Sequence, residues 1–139
     1  MSPSPADVAR AWFAEVWNAG SEAAIDKYMG PQAAFHGLTP DGSPIIGPAG
    51  FKPFYRKFRE AFPDIRINVE RTVTEGELVA VHCTVTGTHL GASLGIAATR
   101  KPVKITGMAM ARVRDGKVVE GWNAFDFLSL YQQVGMVPG

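Results

Sequence analysis

Val79-Ala80-Val81-His82-Cys83-Thr84-Val85-Thr86-Gly87-Thr88 decides the fold class. Val79, Val81, Cys83 and Val85 recur at every second place, and His82, Thr84, Thr86 and Thr88 fill places between them. That is the period of a strand with one buried face. Upstream, Thr74-Glu75-Gly76-Glu77 reads as a hairpin turn, and Ile65, Ile67 and Val69 alternate with Arg66, Asn68 and Glu70. Downstream, a glycine-bearing connection, His89 to Arg100, leads to a strand near Val103–Arg114. Asp115-Gly116 is a strong hairpin signal, and Lys117–Phe125 returns from it. A short helix, about Phe127 to Val134, ends at Gly135.

Toward the N-terminus the period changes from 2 to 3.6. Phe51, Phe54, Tyr55, Phe58 and Phe62 line one side of a helix, Lys52, Arg56, Lys57, Arg59 and Glu60 cover the other, and Pro63-Asp64 stops it. Thr39-Pro40-Asp41-Gly42-Ser43-Pro44 is a loop by its turn chemistry, and Ala33–His36 is a short candidate strand. Ser21 starts a short helix carrying Ile25, Tyr28 and Met29. Before it, Ser4-Pro5-Ala6-Asp7 opens a helix that carries Val8, Trp12, Phe13, Val16 and Trp17 and ends at Gly20. Three N-terminal helices followed by a meander of long antiparallel strands is an α+β layout. Strands of this length are expected to twist and curl around the helices into a cone with an open mouth.

Composition narrows the function. The 139 residues suit one domain, 1–139, and 46% hydrophobic against 19% charged is globular rather than disordered. Net charge is +1 and evenly spread: residues 1–70 carry seven Lys/Arg and eight Asp/Glu, residues 71–139 seven and five. That balance argues against a nucleic-acid partner. One cysteine excludes an internal disulfide, and three scattered histidines give no metal-ligand spacing. No apolar run approaches a membrane span, and Met1-Ser2-Pro3-Ser4-Pro5 does not read as a secretory signal. The expectation is a soluble, cytoplasmic protein without a metal.

Several segments together carry a resemblance. They are Ala14-Glu15-Val16-Trp17-Asn18-Ala19-Gly20 with Ala24-Ile25-Asp26, then Phe35-His36-Gly37, then Gly50-Phe51 leading to Phe62-Pro63-Asp64. Asp115-Gly116-Lys117-Val118-Val119-Glu120, Trp122-Asn123-Ala124-Phe125-Asp126 and Leu130-Tyr131-Gln132-Gln133-Val134-Gly135 complete the set. The chain resembles the SnoaL-like polyketide cyclase (ester cyclase) family over nearly its whole length. The resemblance implies the cone-shaped α+β barrel shared with ketosteroid isomerase and scytalone dehydratase. It also implies a homodimer, a small apolar substrate, and cofactor-independent intramolecular aldol ring closure. Hydroxylation, isomerisation or ligand binding without catalysis are the alternatives it leaves.

Asp126 is the expected acid/base, because the resemblance places the family's catalytic aspartate at the end of this strand; Asn123 is the other residue that fits the position. Its neighbours Phe125, Phe127 and Leu128 are apolar, and desolvation makes a carboxylate more basic. Asp126 also fits the N-cap of the last helix. His36, at a strand end, and His89, in parity with the valines, are candidates to hydrogen-bond or protonate a substrate oxygen. His82 falls on the other face. Trp12, Phe13, Phe54, Phe58, Met108, Met110, Trp122 and Asn123 are the candidate substrate wall, and Cys83 reads as a buried small hydrophobe.

Overall fold

The computed structural model describes residues 3–139. Met1 and Ser2, part of the N-terminal stretch read above, lie outside them. Helix α1 (Pro5–Ala11) starts with the Ser4 hydroxyl accepting from the Asp7 amide at 3.1 Å. It runs on as a π-helical segment, Trp12–Asn18, closed by the Ala19 amide on the Ala14 carbonyl. The wider turn leaves two adjacent pairs, Trp12-Phe13 and Val16-Trp17, all buried. Helices α2 (Ala23–Tyr28) and α3 (Gly47–Ala61) follow, separated by strands β1 (Met29–His36) and β2 (Ile45–Ile46). Strands β3 (Arg66–Glu75), β4 (Leu78–Thr88), β5 (Pro102–Arg114) and β6 (Lys117–Phe125) and helix α4 (Phe127–Gln133) complete the chain.

The six strands form one curved, unclosed sheet in the order β2-β1-β6-β5-β4-β3. It is mixed rather than purely antiparallel. Strands β3 to β6 meander as expected, but β1 pairs with β6 in parallel. The four residues Ala33–His36 are only the second half of that strand, which begins at Met29, directly after α2. Asp115 and Gly116 both take positive φ, 50° and 75°, which gives the β5–β6 hairpin its tight two-residue connection. Register runs unbroken along β4 and β5 from Leu78↔Arg112 to Thr88↔Pro102. No bulge disturbs β4–β5, so Val79, Val81, Cys83 and Val85 are buried and His82 is only half-buried.

The helices pack on the concave face. A cluster of Trp12, Trp17, Phe35 and Phe51 forms its centre, with ring centroids 5.1 to 6.2 Å from Phe51. Two side-chain amides substitute for missing strand partners. Asn18 donates to the Ile67 carbonyl at 2.8 Å and accepts from the Ile67 amide at 2.6 Å. Gln133 does the same for Lys104, at 2.9 Å each way, and so ties α4 to β5. Asp64 joins the start of β3 to the end of β4 by accepting from the Thr88 amide and hydroxyl at 2.7 and 2.8 Å.

Candidate functional site

Between the helices and the concave face lies a cavity of about 80 Å³. The π-helical segment supplies Trp12, Phe13 and Trp17, and α3 supplies Phe51, Phe54 and Phe58. Strand β6 supplies Asn123 and Phe125, and Phe127 and Leu130 come from α4. Apart from the two tryptophans, the described lining residues include two polar ones, Asn123 and Thr86, and no ionisable one. Such a wall selects for apolar, aromatic-sized ligands by area and shape. The volume is below the roughly 300–1,000 Å³ of ordinary ligand pockets, so a multi-ring guest requires the aromatic walls to move.

Four of the expected wall residues are here: Trp12, Phe13, Phe54 and Phe58, with Asn123 as a fifth. Met108, Met110 and Trp122 are not in this cavity. Strand parity turns them to the convex side, where Met108 is 55% and Met110 38% exposed. The inward places of β5 belong instead to Gly107, Ala109 and Ala111. Met110 borders only a smaller hollow of about 30 Å³, which shares Trp12, Phe13, Phe35 and Asn123 with the main one. Phe35, Phe125 and Phe127 are wall residues that the sequence reading passed over. Phe125 shares the parity of Asn123, and that signal was available.

Asp126, His36 and His89 are not brought together. Asp126 stands at the rim, between the wall residues Phe125 and Phe127, and is exposed. Its Oδ1 accepts from the Ser129 amide at 3.0 Å, so it caps α4. The desolvation expected from its apolar neighbours does not occur, because their rings turn inward and its carboxylate turns out. His36 points to the convex face. Its Nε2 is 2.8 Å from a Glu120 carboxylate oxygen, and its ring stacks on Trp122 with centroids 5.9 Å apart.

His89 is fully buried, as its parity requires, but lies behind Phe62 rather than on the cavity wall. The Thr99 amide donates to its Nδ1 at 3.1 Å, which places the ring proton on Nε2. Nε2 has no hydrogen-bond partner. His89 also exchanges backbone bonds with Lys101 and Arg100, so it closes the neck of the 90–100 loop.

Asn123 is held in a defined orientation. Its Nδ2 donates at 3.0 Å to the His36 carbonyl, an acceptor only, so the amide cannot be reversed. That carbonyl sits at a sharp exit from β1. Gly37 has φ 85°, and a Cβ there would collide with the Asn123 carbonyl oxygen, so glycine is required. Cys83 lies under the sheet, and burial pushes its thiol up to about 11, which makes it unreactive. Among the described residues no group of three or more His, Cys, Asp or Glu is placed to hold a metal ion.

A curved α+β sheet closed by helices over an aromatic cavity defines a class of small-ligand proteins. Residues 7–134 match the SnoaL-like polyketide cyclase model, and the chain belongs to that family. Solved structures agree. IdmH, a "putative polyketide cyclase" from Streptomyces antibioticus, is 29% identical, with TM-score 0.83 over 96% of this chain and 99% of its own. AclR, a "putative hydroxylase" from Streptomyces galilaeus, is 26% identical, with TM-score 0.83 over 97% and 83%. A "putative polyketide cyclase" from Acidithiobacillus ferrooxidans is 26% identical, with TM-score 0.81 over 98% and 97%. No curated protein matches the chain in sequence.

Proposed function

We propose that this chain is a cyclase that folds a small, apolar, polyketide-like substrate inside the aromatic cavity and closes a ring by an intramolecular aldol-type reaction. The cavity's wall, aromatic and without an ionisable side chain among its described residues, is the observation that carries this reading. The interior contributes by bringing two ends of one substrate together, and effective molarities for well-oriented partners reach about 10⁵–10⁸ M. Proton removal falls to Asp126 at the rim, whose carboxylate reaches the substrate by turning in from its place on the Ser129 amide. The base takes a proton from carbon between two carbonyls, the enolate carbon bonds to a third carbonyl carbon, and that oxygen becomes an alkoxide and takes a proton. Trp12 and Trp17, both in the cavity wall, carry indole N–H groups that can donate to such an oxygen. No metal or organic cofactor enters this scheme.

A linear poly-β-ketone thioester followed by the ultraviolet absorbance of the new ring tests it. Wild-type protein accelerates ring closure, and Asp126→Asn slows it about 10²–10⁴-fold without a change in melting, since asparagine also caps helices. Unchanged turnover in Asp126→Asn rejects the base. The neutral interior also favours a second reading, a ligand-binding module without catalysis, and saturable binding with no acceleration selects it.

The partner is a second copy of this chain. The convex face carries a two-row band: Val73, Ala80, Met110 and Trp122 in an apolar row, and Arg71, His82, Met108 and Ala124 in the next. Charged and threonine rows lie on either side, the arrangement of an interface core and rim. A two-fold axis along β5 lays β4 of one copy on β6 of the other. Small Ala80 then meets Trp122, and Ala124 meets His82, in both directions. Met110→Glu is expected to give a monomer in sedimentation; a monomeric wild type refutes the dimer.

A further inference from the structure

Asn123 has one polar atom to spare. Its Nδ2 is committed to the His36 carbonyl, and nothing among the described residues donates to its Oδ1. The residue lies on the inward side of β6, in the wall of both the main cavity and the smaller hollow beside it. Thr86, the other polar residue of the wall, alternates with inward Val85 on β4, and its hydroxyl can rotate to serve as donor or acceptor. Asn123 Oδ1 is therefore the acceptor in this wall whose direction the protein sets. Asn123 is half-buried, so its Oδ1 is within reach of water in the free protein; a ligand that covers it without supplying a hydrogen leaves it unpaired at a cost, and one that donates an O–H avoids that cost.

We propose that Asn123 is a specificity-determining residue, selecting aromatic or enolised ligands that present a hydroxyl to its Oδ1 over equally apolar ones that lack an O–H. The selection rests on the cavity being the ligand site, as proposed above. It adds a requirement that shape alone does not impose. A flat ring with a phenol or enol O–H near the β1–β6 junction donates to Oδ1, while its hydrocarbon faces Trp12, Phe13 and Phe35. The methyl ether of the same ring keeps the area and the oxygen but leaves Oδ1 unpaired. Such mismatches discriminate because the protein group, not only the ligand, loses its partner.

The probes are phenol and anisole, single rings suited to a cavity of this volume, titrated calorimetrically into the full chain. Wild type is expected to bind phenol about three- to tenfold more tightly than anisole. Asn123→Leu, which keeps bulk and removes the acceptor, brings the ratio to about one by weakening phenol alone. Because Asn123→Leu also gives up the bond to His36, the wild-type ratio stands as an independent test. Equal affinities for the two probes in wild type overturn the selection while leaving the cavity as a ligand site. A phenol preference retained in folded Asn123→Leu overturns it too. Binding of neither probe overturns the cavity reading, and the selection with it.

Discussion

Replacing Phe51 and Phe58 separately with alanine measures whether the space at the centre of this fold is real. Both rings come from α3, and both border the cavity, at 2% and 6% exposure. Their surroundings differ. Phe51 is ringed by Trp12, Phe35, Phe54 and Trp17 at centroid distances of 5.1, 5.5, 5.7 and 6.2 Å. Phe58 has two aromatic neighbours, Phe54 at 4.8 Å and Phe127 at 5.7 Å.

Core Phe→Ala substitutions cost about 3–5 kcal/mol, and each aromatic pair is worth about 0.5–1.5 kcal/mol beyond its area. Phe51→Ala belongs at the top of that range, about 5 kcal/mol. Phe58→Ala, which loses two fewer pairs and already faces free space, belongs at about 3 kcal/mol. Urea denaturation of the two variants under one buffer gives the difference, provided the slope with urea is unchanged. Equal costs, or the larger cost at Phe58, would mean that Phe58 is packed on every side and that the cavity reading is unsound.

Other outcomes follow from single contacts. Burial would raise the Asp64 carboxyl, but hydrogen bonds from the Thr88 hydroxyl and amide outweigh it and hold the group below its ordinary value of 3.8. Its stabilisation is therefore complete above that value and is lost as pH falls through the lower, folded one. Asp64→Asn should lower the melting temperature at neutral pH, where that stabilisation is fully present, and flatten the fall through the acid window, as melting temperature against pH would show; identical acid limbs contradict the assignment. Cys83, fully buried with its thiol pushed up to about 11, should resist a thiol-reactive disulfide reagent in native buffer and react at once in denaturant. Fast native labelling counts against a closed β4–β5 face. Gly37→Ala forces a positive φ on alanine and a clash with the Asn123 carbonyl, so a loss of about 1–3 kcal/mol in urea is expected, and a neutral result would show the β1 exit to be free to relax.

The meander, the hairpin at Asp115-Gly116 and the inward run of β4 were legible because each depends on neighbours in sequence. Alternation needs only the chain's own pleat, and a tight turn only its own φ angles. Family membership was legible for the same reason, since its motifs recur at turns and element ends. The parallel β1–β6 pairing was not, because it joins residues more than eighty apart and leaves no local period.

Site residues divide along the same line. Trp12, Phe13, Phe54 and Phe58 could be placed on inward stripes from helical spacing, and His89 on the inner face from strand parity. Whether an inward residue borders open space or another ring is a matter of how several elements meet. His89 ended behind Phe62, Met110 on the convex side, and Asp126 at a rim facing water. The sequence by itself determined which faces are apolar, through periods set by backbone geometry. Only the tertiary structure decided which apolar faces leave a hollow between them, because a cavity belongs to the gap among packed elements and to none of them singly.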